Sequence, residues 1–404
     1  MLNSSLLGMT DGPKPALSVE RFGSVKTEPV LERAFRGGHK TGSIFSVAMV
    51  PSRQQCVSAG EDGSILIWNF KPQMRPMRLT GHTGPVFAVA ASPSGNRVAS
   101  ASLDRTVMIW ENANKPAERP AVIKGHAGGV RSVQWSSDER LLLTSSDDKT
   151  CKLWVLTDGN KFLATFTGHT NWVRSAAFSA DQHSMVSCGD DKSVRIWSTE
   201  TRKQVHAFFD QTEVVMTAQF HPTESSVVAG AGADRSICLW DCRQQSPLLQ
   251  TYKDAHESSV TSLAFHSSGY YIVSTGKDGL AKLWDLREGR LLWSAQAHAG
   301  AINSVSLDTE GHTMATGGAD QTVLIWRTHI SSHPRPQPLT PSAVVNQPPS
   351  PQAVSPVKTP RATIHQAAPV SITSQLSAIL STLQTLDKRM QTAEARLAQL
   401  EGKN

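Results

Sequence analysis

The stretch Val98-Ala99-Ser100-Ala101-Ser102-Leu103-Asp104-Arg105-Thr106-Val107-Met108-Ile109-Trp110 decides how this chain is read. Small and apolar residues run from Val98 to Ser102, a turn follows at Asp104-Arg105, and Val107 to Trp110 runs on from it. That is the pattern of two short strands joined by a tight turn. Asp104 lies six residues before Trp110, Ser100 four before Asp104, and His82 22 before Asp104. The same residue types recur at the same offsets along the chain. The tryptophans Trp68, Trp110, Trp154, Trp197, Trp240, Trp284 and Trp326 are separated by 42, 44, 43, 43, 44 and 42 residues. Asp62, Asp104, Asp148, Asp191, Asp234, Asp278 and Asp320 precede them by six. Ser58, Ser100, Thr144, Ser187, Ser274 and Thr316 supply a hydroxyl in six units, and His39, His82, His126, His169, His256 and His298 a histidine in six. Chance does not align four residue types this often, so the chain is a repeat array.

A period of about 43 residues, filled with short strands and Gly, Asp and Ser turns, points to four-stranded propeller blades. The spacing resembles the WD-repeat family, in which His, Ser/Thr, Asp and Trp form one hydrogen-bonded tetrad per blade. The chemistry suits a buried place: indole donates, hydroxyl and imidazole each donate and accept, and carboxylate accepts. The dipeptide that names the family survives only at Trp240-Asp241 and Trp284-Asp285. The resulting fold class is all-β, a seven-bladed propeller with repeats at about 39–80, 81–123, 124–167, 168–209, 210–254, 255–296 and 297–329.

Two units depart from the pattern. The fifth has Gln211 in place of histidine and Gly230 in place of the hydroxyl, and the first has an extra residue between His39 and Asp62. After Trp326 the pattern stops, which leaves the last unit without an outer strand. Leu31-Glu32-Arg33-Ala34-Phe35-Arg36 reads like the outer strand Phe162–Thr167. Residues 29–37 are therefore expected to complete the seventh blade and close the 29–329 ring, with 1–28 a disordered extension.

The composition removes several function classes. The 404 residues carry 40 Lys+Arg against 34 Asp+Glu, a net +6. Seven cations and three carboxylates lie beyond residue 330, so the tail holds +4 and the first 330 residues only +2. A near-neutral ring is not a nucleic-acid groove. No apolar run reaches the length of a membrane span, so no membrane insertion is expected, and Met1 to Gly23 does not read as a secretory signal. Cys56, Cys151, Cys188, Cys238 and Cys242 contain no Cys-x-x-Cys and are expected to be small core residues in a reducing compartment. There is no phosphate loop, zincin helix or nucleophile elbow. Histidines and aspartates repeated once per blade are structural, because a catalytic group is needed once. A non-enzymatic protein without cofactor or metal is expected.

What remains is a surface. The turns that hold the tetrads should lie on one face of the ring, where Phe87, Arg131 and Arg174 follow the histidines by five residues and Trp172 by three. Arg105, Lys149, Lys192 and Arg235 follow the aspartates directly. Aromatic and Arg side chains are typical binding hot spots, and a basic ring would suit an acidic protein partner such as a tubulin surface. Beyond the ring, residues 330–370 are Pro-rich and read as a disordered linker, with Ser355 before Pro356 as a candidate phosphorylation site. From 371 to 402 a coiled coil is expected. Ile372, Leu376, Ile379, Leu383, Leu386, Met390, Ala393, Leu397 and Leu400 alternate in steps of 4 and 3. Self-association through it would couple propellers and raise avidity on a repetitive lattice.

Local features narrow the family. Trp68-Asn69-Phe70-Lys71-Pro72-Gln73-Met74-Arg75, Leu31-Glu32-Arg33, Asn171-Trp172-Val173-Arg174 and the Asp-Asp-Lys turns at 147–149 and 190–192 resemble the proteome-of-centriole-one family of centriole and basal-body proteins. So does Leu383–Leu400, and so does the order of seven blades, linker and terminal coil. The resemblance implies a scaffold in the cytoplasm that builds and stabilises centrioles and ciliary basal bodies. Its propeller would dock on the microtubule wall and on other centriolar proteins, and its coil would make a homo-oligomer. The competing expectation is an adaptor elsewhere, such as a microtubule-severing regulatory subunit or a ubiquitin-ligase substrate receptor.

Overall fold

A computed structural model of the chain describes residues 19–21 as backbone and residues 28–51, 53–71, 74–111, 119–157 and 159–330 in full. Residues 331–370 of the expected linker, Ser355 and every position of the expected coil, Ile372 to Leu400, lie outside the described residues. Ile330, expected to open the linker, is instead buried in the core of the ring, because its apolar side chain packs between the last two blades. Every regular element among the described residues is a strand, and no helix there is long and apolar enough to cross a membrane.

The strands form seven antiparallel sheets, one per repeat. The third blade is representative: Val130–Trp135, Leu141–Ser146, Thr150–Val155 and Lys161–Thr167 pair in that order. The first strand of each blade meets the first strands of both neighbours, so seven such strands surround the axis. Central strands such as Val98–Ser102 are buried along their whole length, because both sheet faces pack against adjacent blades. First strands alternate instead, with one side on the core and the other towards the axis.

The hydrophobic core is divided accordingly into seven clusters, each filling one seam between neighbouring blades. The seam between the seventh and first blades holds Ala315, Val323 and Ile325 against Ile44, Val47 and Trp68, with Phe35 packed alongside. Phe35 stacks on Trp68 with ring centroids 5.0 Å apart. Phe35 belongs to Val30–Phe35, which pairs with Val323–Arg327 as the outer strand of the seventh blade. The N-terminal strand thus closes the ring.

One feature departs from the sequence reading. Val19–Arg21, inside the segment expected to be disordered, runs antiparallel to Arg290–Gln296 and makes the sixth blade five-stranded. The physical reason is the unpaired outer edge of that blade, which accepts any extended backbone and asks little of its side chains.

Candidate functional site

The tetrads hold the turns of one face in place. In six blades the indole N–H donates to the hydroxyl at 2.8–3.2 Å. The hydroxyl oxygen lies 2.7–2.9 Å from histidine Nε2. Histidine Nδ1 lies 2.7–2.9 Å from the aspartate. Because indole can only donate and carboxylate only accept, Trp donates to the hydroxyl and histidine donates its Nδ1–H to Asp, with the hydroxyl and Nε2 joined between them. The extra residue of the first unit does not break it, since Gly42, with φ +79°, absorbs the insertion.

Two further partners were not read from the sequence. The backbone N–H after each histidine, such as Ala127 at 3.0 Å from Asp148, donates to the same carboxylate. A hydroxyl two residues after the aspartate also donates to it, as Thr150 does at 2.6 Å. That hydroxyl recurs at Ser64, Thr106, Ser193, Ser236 and Thr322. Burial alone would raise these carboxyls. The hydrogen bonds outweigh it, holding Asp62, Asp148 and Asp191 well below the usual carboxylate range and Asp320 at about 2. Burial pushes His39 and His82 below the ordinary imidazole value, against the opposing pull of their aspartates.

The fifth blade solves the same problem differently. Trp240, fully buried, donates its N–H to Asp210 at 2.7 Å. Asp210 stands at the position before Gln211, where other blades have Gly38, Gly81, Gly125 or Gly168. Those glycines lie against the tips of their tryptophan rings, and a Cβ at Gly38 would meet Trp68 at 2.2 Å. In the fifth blade the polar and small positions are exchanged. Asp210 carries the acceptor, and Gly230 leaves the room into which Trp240 leans, 2.9 Å from where a Cβ would stand. Gln211 is buried and bonds Gly230 O at 3.3 Å, while its Oε1 has no partner.

On the face so built, the second residue of every first strand is the bulged one, because the register shifts around it in all seven blades. A bulge re-aims its side chain. These residues are Phe45, Phe87, Arg131, Arg174, Met216, Thr261 and Asn303. The first four join into one cluster with Trp172. Phe45 and Phe87 lie 5.5 Å apart. The Arg131 guanidinium sits 4.0 Å over Phe87 and 5.5 Å from Trp172, and that of Arg174 5.4 Å from Trp172.

The expected basic ring needs correction here. Arg131 is held by Asp147 through two bonds of 2.7 and 2.9 Å, and Arg174 by Asp190 through two of 2.5 and 2.8 Å. The first aspartate of each Asp-Asp-Lys turn neutralises the arginine beside it, so these guanidinia present aromatic-backed planes and no free charge. Lys192 donates to Thr212 O at 2.7 Å, and Arg235 pairs with Asp254 at 2.8 Å. Arg105 and Lys149 are exposed, and their side chains have no hydrogen bond or ion pair among the described residues.

The four turn cations share an unusual backbone. Arg105, Lys149, Lys192 and Arg235 have φ of 69°, 70°, 62° and 65°, where the first and sixth blades use Gly63 and Gly279. A left-handed conformation costs a non-glycine residue about 1 kcal/mol, and four adjacent blades accept that cost with a long cation. Leu103, 45% exposed, and Trp172, 42% exposed, stand among them. The sequence reading missed Phe45 and Leu103, which continue the apolar part of the surface. The first four blades therefore carry the aromatic and guanidinium cluster, with the exposed Arg105 and Lys149 on the turns of the second and third, while the sixth and seventh offer only Thr261 and Asn303 at the equivalent bulges.

All five cysteines are free thiols, four of them buried and Cys242 partly so. Among the described residues no group of three or more His, Cys, Asp or Glu could hold a metal.

Comparison with known proteins matches the model of the WD domain, G-beta repeat, seven times, at residues 31–69, 74–111, 118–155, 160–198, 202–241, 246–285 and 289–327. Each match begins with one blade's outer strand and continues through three strands of the next. Among similar proteins, cilia- and flagella-associated protein 52 of Chlamydomonas reinhardtii is 32% identical over 30% of this chain and 18% of its own length. Coronin-like protein crn1 of Schizosaccharomyces pombe is 30% identical over 29% of this chain and 20% of its own. Pre-mRNA-processing factor 19 of Oryza sativa is 32% identical over 26% of this chain and 20% of its own. Each match thus spans no more than a fifth of the relative.

Proposed function

The chain belongs to the WD-repeat family, and from that premise we propose that it is a non-enzymatic docking scaffold of centrioles and ciliary basal bodies. The ring binds the microtubule wall or the proteins on it, and the C-terminal segment supplies self-association. The observation that carries the docking part is the cluster of Phe45, Phe87, Arg131 and Trp172, on the face where the turns of the second and third blades expose Arg105 and Lys149. Its groups are already ordered by Asp147 and by the bulges, so a partner meets aromatic and guanidinium surfaces that lose little freedom on binding. Arg105 and Lys149 attract an acidic surface and set its orientation.

The cellular part is supported by the sequence resemblance to the centriolar family and by the cilia- and flagella-associated relative. A competing reading, an adaptor elsewhere in the cell, draws support from the pre-mRNA-processing relative, matched at equal identity. Imaging a fluorescently tagged full chain separates them. Foci coincident with centrin support the centriolar scaffold, and a diffuse or nuclear signal without such foci overturns it.

A further inference from the structure

We propose that the outer edge of the sixth blade is a strand-addition site for an extended peptide, and that the chain's own residues 19–21 are its resident occupant. Val19, Glu20 and Arg21 stand opposite Ala295, Ser294 and Trp293. They cover three positions of the seven-residue strand Arg290–Gln296. Beneath them Trp293, Ser294 and Ala295 are buried in succession, which happens on no other outer strand among the described residues. The outer strands of the second to fifth blades end their sheets and expose Val122, Phe162, Val205, Leu248 and Leu249. Among the described residues, the sixth blade alone is covered by added backbone.

The short register makes the occupant exchangeable. Three paired residues give few ladder bonds against the entropy of ordering the arm. The arm is kept in place by its tether, because eight residues separate Arg21 from Val30, the start of the strand that closes the seventh blade. A short tether of this kind supplies a high local concentration without any new contact. A strand from another protein that pairs along all of Arg290–Gln296 forms more bonds and displaces the arm. Recognition runs through the main chain, so the partner class is an extended segment with strand-forming residues.

The test uses the full chain and a Val19→Pro/Glu20→Pro variant, in which the arm loses its central donors. Amide exchange is followed at Trp293–Gln296 and at Val323–Arg327, with a labelled peptide spanning residues 14–26 as probe. The expected result is exchange at least about tenfold faster at Trp293–Gln296 in the variant, with Val323–Arg327 unchanged. The peptide then binds the variant, restores its protection, and binds the unaltered chain far more weakly. Unchanged exchange, equal acceleration at Val323–Arg327, or equal peptide binding to both chains overturns the proposal.

Discussion

Replacing Asp210 by alanine changes an exposed residue, a kind of substitution that usually alters stability by less than about 0.5 kcal/mol. Here the cost should be several times larger. The Trp240 indole is fully buried, and Asp210 at 2.7 Å is the acceptor of its N–H. Losing a charge-assisted bond and stranding a buried donor costs about 2 kcal/mol. At about 2 °C per kcal/mol for a ring of this size, the melting temperature should fall by about 4 °C. Asp210→Asn keeps an acceptor and should lose less. Gly230→Ser supplies the hydroxyl of the other blades but should also destabilise, by about 1–3 kcal/mol, because its Cβ would lie 2.9 Å from Trp240 and 3.3 Å from Val194. Combining Asp210→Gly, Gln211→His and Gly230→Ser lets Trp240 settle into the tetrad pose and should recover most of the loss. Thermal unfolding of the four variants forms the test, with amide exchange at Ile237–Asp241 locating the effect. A change below about 1 °C for Asp210→Ala, or a triple variant no more stable than Gly230→Ser, would refute the exchange of polar and small positions.

Three other outcomes follow from the same contacts. Removing residues 29–36 exposes the edge of Val323–Arg327 and the Trp68 face covered by Phe35, and should lower the melting temperature by more than about 10 °C; an unchanged value would contradict closure by this strand. Ser187→Ala strands both Trp197 Nε1 and His169 Nε2, and should cost about 2–4 kcal/mol by urea unfolding, against less than about 1 for exposed Ser137→Ala. Acidification should weaken the ring in two stages. His39 and His82 have lowered values when folded, so the unfolded chain binds protons first and stability falls as pH drops below about 6.5. The depressed tetrad carboxylates add a second loss below about 4, extending for Asp320 down to about 2, and a melting temperature flat from pH 7 to 3 would contradict both.

The ring was legible because its tetrads need fixed donors and acceptors at fixed offsets, and sequence records both. The closing strand was legible because an open seventh blade demands a partner, and Leu31 to Arg36 reads like the outer strand Phe162–Thr167. Asp210 escaped because its role depends on where the Trp240 ring leans, which depends in turn on the absent side chain at Gly230. The face residues Phe87, Arg131, Trp172 and Arg174 were identified, but their charge was misjudged. Asp147 and Asp190 were read as members of turns, and only the bulge brings each within bonding distance of its arginine. Val19–Arg21 gave no signal, since strand addition to an edge is specified by the edge.

That correction changes how docking should be probed. Removing Arg131 or Arg174 would leave a carboxylate unpaired and confound binding with stability, whereas Arg105, Lys149 and Trp172 can be altered with the turns left intact. The most direct measurement is the occupancy of centrin-positive foci by the tagged full chain and by its Arg105→Glu/Lys149→Glu/Trp172→Ala variant, at matched expression and melting temperature. Docking through this face predicts foci for the unaltered chain and at least about a tenfold loss for the variant, the effect of removing two steering charges and one aromatic anchor. Equal occupancy by the two chains would contradict it.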